Sequence, residues 1–271
     1  MVKVEKEIKV MTTKQSQNNN LERSVSNLEP VELFSIVMPA YNEEDVIEQT
    51  LLELTAHLDG CDFNYEIVVI NDSSTDQTEA ILTKIESDHD SVRHVNNDGP
   101  GGYGYAIRKG LEVYQGDAVV IVTSDGSDAP KDIEAYFNKI QEGVYCAFGS
   151  RFLPGTKVTG YPKVKLLVNR IVNHMLSWLL QSEYNDFTNG FKCYRREVID
   201  DIAPFVAGQF NITIELAVSA TLGGWSYGIV PTDWTQRDAG DSSFYMGRLL
   251  KPYALTLIYC LTRNYLSNTR R

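Results

Sequence analysis

The chain has 271 residues, 43% of them hydrophobic, and a formal net charge of −11. That length suits one large α/β domain with additions, or two small ones, and the acidity disfavours nucleic acid as a partner. Four scattered cysteines, Cys61, Cys146, Cys193 and Cys260, form no C-x-x-C pair, which argues against a zinc site or a disulfide framework and for a reducing compartment.

Residues 1–30 are polar, with a Q-S-Q-N-N-N run, and read as a disordered arm. They contain no apolar segment of the signal-peptide type. No run of about 18 apolar residues follows, so no transmembrane helix is expected. Residues 33–38 predict the first strand, closed by Pro39, Ala40, Tyr41 and Asn42. Asn42 before Glu43, Glu44 and Asp45 predicts an N-cap with an acidic first turn. Val46, Ile47, Leu51, Leu54 and Leu58 then recur at helical spacing. A strand over 66–70 ends in Asn71, Asp72, Ser73 and Ser74; a helix over 75–86 and a strand over 92–95 follow. Residues 98–104 are glycine-rich and lead into a helix ending near Tyr114. Their spacing does not fit a dinucleotide fingerprint. They read first as a plain turn before a helix, with help in holding a phosphate at the helix N-terminus as the less favoured role.

Ala118 to Val122 is short, apolar and β-branched, the pattern of an interior parallel strand. It ends in Thr123, Ser124, Asp125, Gly126, Ser127 and Asp128, and Pro130 suits the first turn of a helix reaching Gln141. Asp125 and Asp128 therefore sit at the carboxyl end of an interior strand, where open α/β sheets bind ligands. Hard oxygen donors there suit Mg²⁺ or Mn²⁺ bridging to a diphosphate. The competing reading is a solvated turn with Asp128 as a helix N-cap. With a strand over 146–149, the alternation implies a doubly wound parallel sheet. That sheet brings P-A-Y-N-E, N-D-S-S-T-D and S-D-G-S-D-A-P to one edge, a convergence that points to a site.

The second half opens with Gly149-Ser150-Arg151 and a Gly/Pro loop over 152–163. Residues 165–180 predict an amphipathic helix with Leu166, Leu167, Ile171, Met175, Trp178 and Leu179 on its apolar face. A polar loop spans 186–190, and a helix over 210–222 carries one acid, Glu215, read either as an orienting partner for Arg151 or Arg237, the slightly favoured role, or as a buried acid hydrogen-bonded for structure. After a strand over 227–230 and a flexible loop at 237–243, the last helix, about 246–266, is read as docking on the core rather than on a bilayer. Segments 151–182 and 242–271 carry ten Lys or Arg between them and no acid, which leaves −21 for the rest. Such acid-free segments suit an anionic ligand. The resulting division is an arm at 1–30, halves at 31–150 and 151–245, and a basic helix at 246–271.

Taken in order, S-I-V-M-P-A-Y-N-E-E, V-V-I-N-D-S-S-T-D, S-D-G-S-D-A-P, G-S-R, D-F-T-N-G-F-K-C-Y-R-R-E-V and R-D-A-G-D-S-S resemble family-2 glycosyltransferases. The second-half motifs resemble the dolichol-phosphate mannose synthase branch, whose members glycosylate polyprenyl phosphates. The resemblance runs from about residue 33 to 266. It implies a GT-A fold: an α/β, doubly wound, mostly parallel sheet with flanking helices in a single domain, ending here in a C-terminal amphipathic helix. It implies inverting, metal-assisted transfer of a hexose from a GDP-mannose or UDP-glucose type donor to a polyprenyl phosphate. It assigns Pro39, Tyr41, Glu43, Ile70 and Asp72 to the nucleoside, and Asp125 to the metal and diphosphate with Ser124 and Ser127 beside it. Arg151 and Arg237 go to the donor and acceptor phosphates, and Lys165 and Asn169 to the lipid phosphate.

Thr123 stands where the family's aspartate-x-aspartate begins, Asn71 where aspartate is common, and Ser243 where lysine is frequent. Asp128 either compensates as a second metal ligand or caps the helix. The expected setting is cytoplasmic and peripheral at a membrane surface, with a membrane-protein partner left open. Two alternatives stand beside this reading. One is a family-2 enzyme acting on a sugar hydroxyl; such members carry an E-D pair and Q-x-x-R-W, but T-N-G-F occupies the first region and the second is absent. The other is a nucleotide-sugar-binding protein that has lost catalysis, which Thr123 favours.

Overall fold

The computed structural model describes residues 28–235 and 246–269. The arm up to residue 27, the loop holding Arg237 and Ser243, and the terminal arginines lie outside the described residues.

The aliphatic runs form the centre of the fold. β1 (Leu33–Ala40), β2 (Asn64–Asn71), β3 (Val92–Asn96) and β4 (Ala118–Ile121) pair in parallel in the order β3-β2-β1-β4, with Pro39 opposite Ile70 and Val37 opposite Ile121. Their side chains alternate between two buried faces. Val37, Val68, Ile70, Val119 and Ile121 pack on one side, and Ile36, Met38, Ile67, Val69 and Val120 on the other. A parallel sheet needs cover on both faces. α1 (Ile47–Leu58), α2 (Thr78–Asp88) and α4 (Pro130–Gln141) supply it on the second side through Leu51, Leu54, Leu82, Ile133 and Phe137. On the first side lie α3 (Tyr103–Val113), α6 (Arg196–Ile202), α7 (Ile212–Leu222) and α8 (Met246–Asn268).

The second half departs from simple alternation. β7 (Lys192–Arg195) runs antiparallel between β4 and β5 (Cys146–Ser150), and β8 (Tyr227–Pro231) pairs parallel with β5, completing a seven-stranded, mostly parallel sheet. The sequence reading contains no strand at β7, because two of its four residues are cations. Both are buried and satisfied by carbonyl oxygens: Lys192 Nζ by those of Phe187 and Asn189, Arg195 by those of Val144, Glu29 and Ile140. A two-stranded ribbon of β6 (Val158–Thr159) and β9 (Trp234–Thr235) ties the Gly/Pro loop to the segment after β8.

One local expectation is corrected, and two segments take on definite roles. Asn42 does not cap α1; with φ at 54°, its side-chain oxygen accepts the Thr75 N–H at 2.8 Å and so joins the β1 and β2 loops. The glycine-rich stretch is a close-packing device: a Cβ on Gly104 would lie 2.6 Å from the Gln209 backbone nitrogen. The apolar stripe predicted on the 165–180 helix, α5 (Lys163–Leu180), faces solvent, with Leu167, Ile171, Met175, Trp178 and Leu179 all exposed while Leu176 and Asn173 turn inward. The last helix docks as read: Asn211 Nδ2 donates to Thr256 Oγ1 at 2.8 Å, and Arg263 donates to the carbonyls of Asp201, Ile202, Ala203 and Pro204.

Candidate active site

Parallel pairing sets the carboxyl ends of β1, β2 and β4 side by side, and β5 delivers Arg151 to the same edge. The loop after β4 is closed by its own side chains. Thr123 N–H donates to Asp128 Oδ2 at 2.8 Å, and Ser127 N–H to Asp125 Oδ1 at 2.9 Å. Thr123 Oγ1 lies 2.7 Å from Asp125 Oδ1, 2.8 Å from Ser127 Oγ and 3.0 Å from Asp128 Oδ2. Gly126 supplies the positive φ, 61°, that the tight turn requires. Asp128 therefore does not cap α4, whose N-cap is Ala129 without a side-chain bond; it clasps the end of β4.

One hydroxyl proton on Thr123 cannot serve both carboxylates. Burial pushes the Asp128 carboxyl up to about 6 against the two hydrogen bonds from Thr123, and a proton on Asp128 removes the conflict. The donors gathered here are all oxygens, from Asp125, Asp128, Thr123 and Ser127. That set fits Mg²⁺ or Mn²⁺, which is held through one or two carboxylates together with substrate phosphates. Thr123 contributes hydrogen bonds to this loop where a carboxylate would contribute charge.

The nucleoside residues divide. Tyr41 is exposed at the edge, and Glu43 N–H donates to Thr78 Oγ1 at 2.9 Å. Pro39 and Ile70 are buried in the sheet, so Ile70 meets a ligand only through its backbone. Asp72 is buried and accepts from Asn97 Nδ2 at 2.6 Å and Gly102 N–H at 2.7 Å, which fixes the glycine-rich loop beside the site. Ser124 is also buried.

Arg151 is not a bare phosphate ligand. Its Nε and Nη2 donate to the two oxygens of Asp186 at 2.8 and 2.7 Å, and its backbone N–H to Asp186 Oδ2 at 3.0 Å. Burial pulls its pKa down, but the Asp186 charge more than offsets this and the net shift is upward. Thr188 extends the pair: its hydroxyl accepts from Asn169 Nδ2 at 2.8 Å and Asn173 Nδ2 at 3.0 Å. Asn169 thus anchors α5 to the 186–190 loop, while Lys165 occupies the first turn of the same helix, half-buried. Beneath the pair, burial lowers the Lys192 ammonium to about 7 against the pull of Asp186.

Glu215 takes the structural one of its two readings. Its carboxylate is buried and accepts the backbone N–H groups of Val206 and Ala207 at 2.8 and 2.7 Å. It holds the 206–209 loop, which packs on the glycine-rich stretch, and its bonds among the described residues do not include Arg151; Arg237 lies outside them. Glu215→Gln keeps one acceptor oxygen for two donors, so an unfolding titration should show a loss of about 1–3 kcal/mol. Unchanged stability would show that the two N–H groups find other partners.

Asp186, Thr188 and Tyr103 lie against the candidate site residues and are not singled out by the sequence reading. Burial, then the Asp128 charge, raises the Tyr103 hydroxyl, with Asp125 a smaller contributor; the Tyr103 ring stacks on Phe210 at 4.3 Å. The D-F-T-N-G run was visible, but its pairing with Arg151 across 35 residues leaves no mark in local spacing.

Comparison with known proteins bears on this geometry. The family model described as Glycosyl transferase family 2 matches residues 35–203. Polyprenol monophosphomannose synthase of Mycolicibacterium smegmatis is 27% identical over 223 residues, covering 80% of this chain and 83% of that protein. Dolichol-phosphate mannosyltransferase of Pyrococcus furiosus is 27% identical over 186 residues, 68% of this chain and 52% of its own length. Glycosyltransferase AglD of Haloferax volcanii is 28% identical over 205 residues, 74% of this chain. This chain spans 32% of that relative. Among solved structures, glucosyl-3-phosphoglycerate synthase from Mycobacterium tuberculosis, in complex with Mn²⁺, uridine diphosphate and glucosyl-3-phosphoglycerate, superposes with a TM-score of 0.62 at 20% identity, covering 86% of this chain and 80% of that one. The shared architecture is the GT-A fold.

Proposed function

The chain belongs to glycosyl transferase family 2, and from that premise we propose that it moves a hexose from a nucleoside-diphosphate sugar to a polyprenyl phosphate, inverting the anomeric carbon. The observation that carries this reading is a pairing. Asp125 stands at the carboxyl end of central β4, and α5, tied to the same edge through Asn169 and Thr188, presents an apolar stripe to solvent. A water-soluble acceptor needs no such stripe; an isoprenoid chain does. Two relatives bear names that specify polyprenol and dolichol-phosphate acceptors, and the Mn²⁺ and uridine diphosphate of the mycobacterial synthase structure suit the oxygen-rich loop found here.

The chemistry asks little acid–base work of the protein. A phosphate monoester has a second pKa of about 6 and is ionised near neutrality. One of its oxygens attacks the anomeric carbon as the bond to the donor diphosphate breaks, and the electron pair leaves with the nucleoside diphosphate. No proton is removed from the acceptor, so no general base is required, unlike transfer to a hydroxyl. The residues then bind and align. Tyr41, Glu43 and the Asp72-fixed loop cradle the nucleoside. Asp125, with Asp128, would hold Mg²⁺ or Mn²⁺, which when bound neutralises charge on the leaving diphosphate. The Asp186-clamped Arg151 sets the shape of the acceptor side, and Lys165, Asn169 and Arg237 receive the phosphates. Alignment of this kind is itself a large part of catalysis.

The stripe supports the reading that the enzyme works at a lipid surface. Val164 and Trp178 are 70% and 79% exposed, and Lys157, Lys163, Lys165 and Arg170 lie in the same acid-free segment. Among the described residues no helix is long and apolar enough to cross a membrane, so attachment would be by this face, with each cation near an anionic surface adding about 1 kcal/mol. Flotation with anionic liposomes should carry the chain at low salt and lose it in Ile171→Glu/Trp178→Glu. A wild-type chain that never floats would refute the membrane part of the proposal. Attachment to native membranes that resists high salt would assign it to a protein partner. Transfer itself is tested with a panel of radiolabelled nucleotide sugars and a short polyprenyl phosphate, followed by lipid extraction. Label in the organic phase is the expected result; donor binding without lipid label from any sugar would leave a nucleotide-sugar-binding protein.

A further inference from the structure

Away from the carboxyl edge of the sheet, α1 and α4 bring together His57, Cys61 and Glu134, with one ligand atom from each lying within 4.8 Å of the others. We propose that these three side chains form a binding site for Zn²⁺, separate from the oxygen-lined loop after β4.

The local chain explains how the cluster arises. α1 ends at Leu58, but its hydrogen bonding overruns the end: Asp59 N–H donates to Thr55 O at 2.9 Å, Gly60 to His57 O at 3.1 Å and Cys61 to Leu58 O at 3.0 Å. This turn keeps Cys61 close to His57, four residues earlier. Glu134, one turn into α4, meets them from the neighbouring helix, with its Oε2 2.9 Å from His57 Nε2. The His57 and Glu134 side chains are 34% and 39% exposed, so an ion and a water can reach them and the side chains can adjust. Adjustment needed is small: bonds of about 2.0–2.3 Å put the ligands of a tetrahedral ion about 3.3–3.8 Å apart.

Ligand chemistry selects the ion. One imidazole nitrogen, one thiolate and one carboxylate are the mixed, borderline-soft set of zinc, and three protein ligands leave a fourth position for water. The hard all-oxygen loop at 123–128 is the opposite kind of site. Cysteine spacing argues against zinc only for sites built from several cysteines; this one uses a single cysteine and draws Glu134 from 73 residues further along the chain. Without a cation, burial and then the Glu134 charge raise the Cys61 thiol. A bound divalent ion reverses the sign of that local field and takes the thiolate. Binding would staple the end of α1 to α4, the helix that follows the 123–128 loop.

The test uses the full chain, stripped of metal with a chelator, given Zn²⁺ at stoichiometry and desalted. The expected result is one zinc per chain, retained in Asp125→Asn and at least about tenfold lower in affinity in Cys61→Ser and in His57→Ala. A thiol reagent gives a second reading, because the other three cysteines are buried. Zinc should slow modification of Cys61 at least about tenfold, and Co²⁺ should give a thiolate-to-metal charge-transfer band that Cys61→Ser lacks. A matching circular dichroism melt for each variant guards against misfolding. Zinc content unchanged in Cys61→Ser, zinc lost instead in Asp125→Asn, unaltered thiol reactivity, or a folded wild-type chain that retains no zinc would each overturn the proposal and leave a His57–Glu134 ion pair. None of these outcomes depends on which acceptor the enzyme glycosylates.

Discussion

Asp125→Asn should lower kcat for sugar transfer by about 10²–10³-fold, the scale of losing a principal electrostatic stabiliser of the leaving group. Asp125 is held by Thr123 Oγ1 and Ser127 N–H through Oδ1 alone, and an asparagine oxygen can keep both bonds. The loop should therefore persist, and the melting temperature should move little. What disappears is the negative charge that a divalent ion needs, and Thr123 has none to lend. Because the loss falls on a transition-state interaction, kcat and kcat/KM should fall together while donor KM changes less. Steady-state kinetics with varied donor and Mn²⁺ make the measurement. Near-normal turnover would remove Asp125 from the metal site and turn attention to Asp128.

The second large effect is on stability. Asp186→Asn should cost about 3–5 kcal/mol of unfolding free energy, because it leaves the Arg151 guanidinium buried without its counter-charge. All three bonds between the residues end on the carboxylate, which is fully buried. An asparagine must point an NH₂ group at the guanidinium. Removing both charges with an apolar pair, Arg151→Met with Asp186→Leu, should recover much of the stability but, on the proposed function, not the activity. Urea titration of the two single variants and the double variant gives the coupling. A single-variant loss below about 1 kcal/mol would mean that the pair is solvated in solution and behaves as an ordinary surface salt bridge.

The first half of the molecule was legible because its signals are local. Strands such as Ile67 to Ile70 alternate between two buried faces, and each ends in the turn residues that mark the site edge. The second half hides its logic in contacts distant along the chain. β7 is four residues long with a cation at each end, so neither period nor composition announces it. Lys192 is tolerated inside because the carbonyls of Phe187 and Asn189, just before it in the chain, accept from it, and Arg195 because those of Val144, Ile140 and Glu29 do, partners that no local window contains. α5 was legible as a helix, but not in which of its residues are buried. It is apolar around most of its circumference, so periodicity detects the helix but cannot say that Leu176 faces the core and Trp178 does not. For the lone acid Glu215 the sequence leaves an arginine partner and a structural hydrogen-bonding role both open, because an unpaired buried carboxylate is costly either way; two backbone N–H groups meet that cost.

Phosphate as the nucleophile is the central claim, and a paired acceptor assay tests it most directly. The enzyme is given one labelled nucleotide sugar and either a short polyprenyl phosphate or the polyprenol of the same chain length. The account predicts label in the lipid phase with the phosphate and none above background with the alcohol, since the proposed attack uses an oxygen that is already ionised near neutrality. Equal or greater labelling of the polyprenol would contradict it.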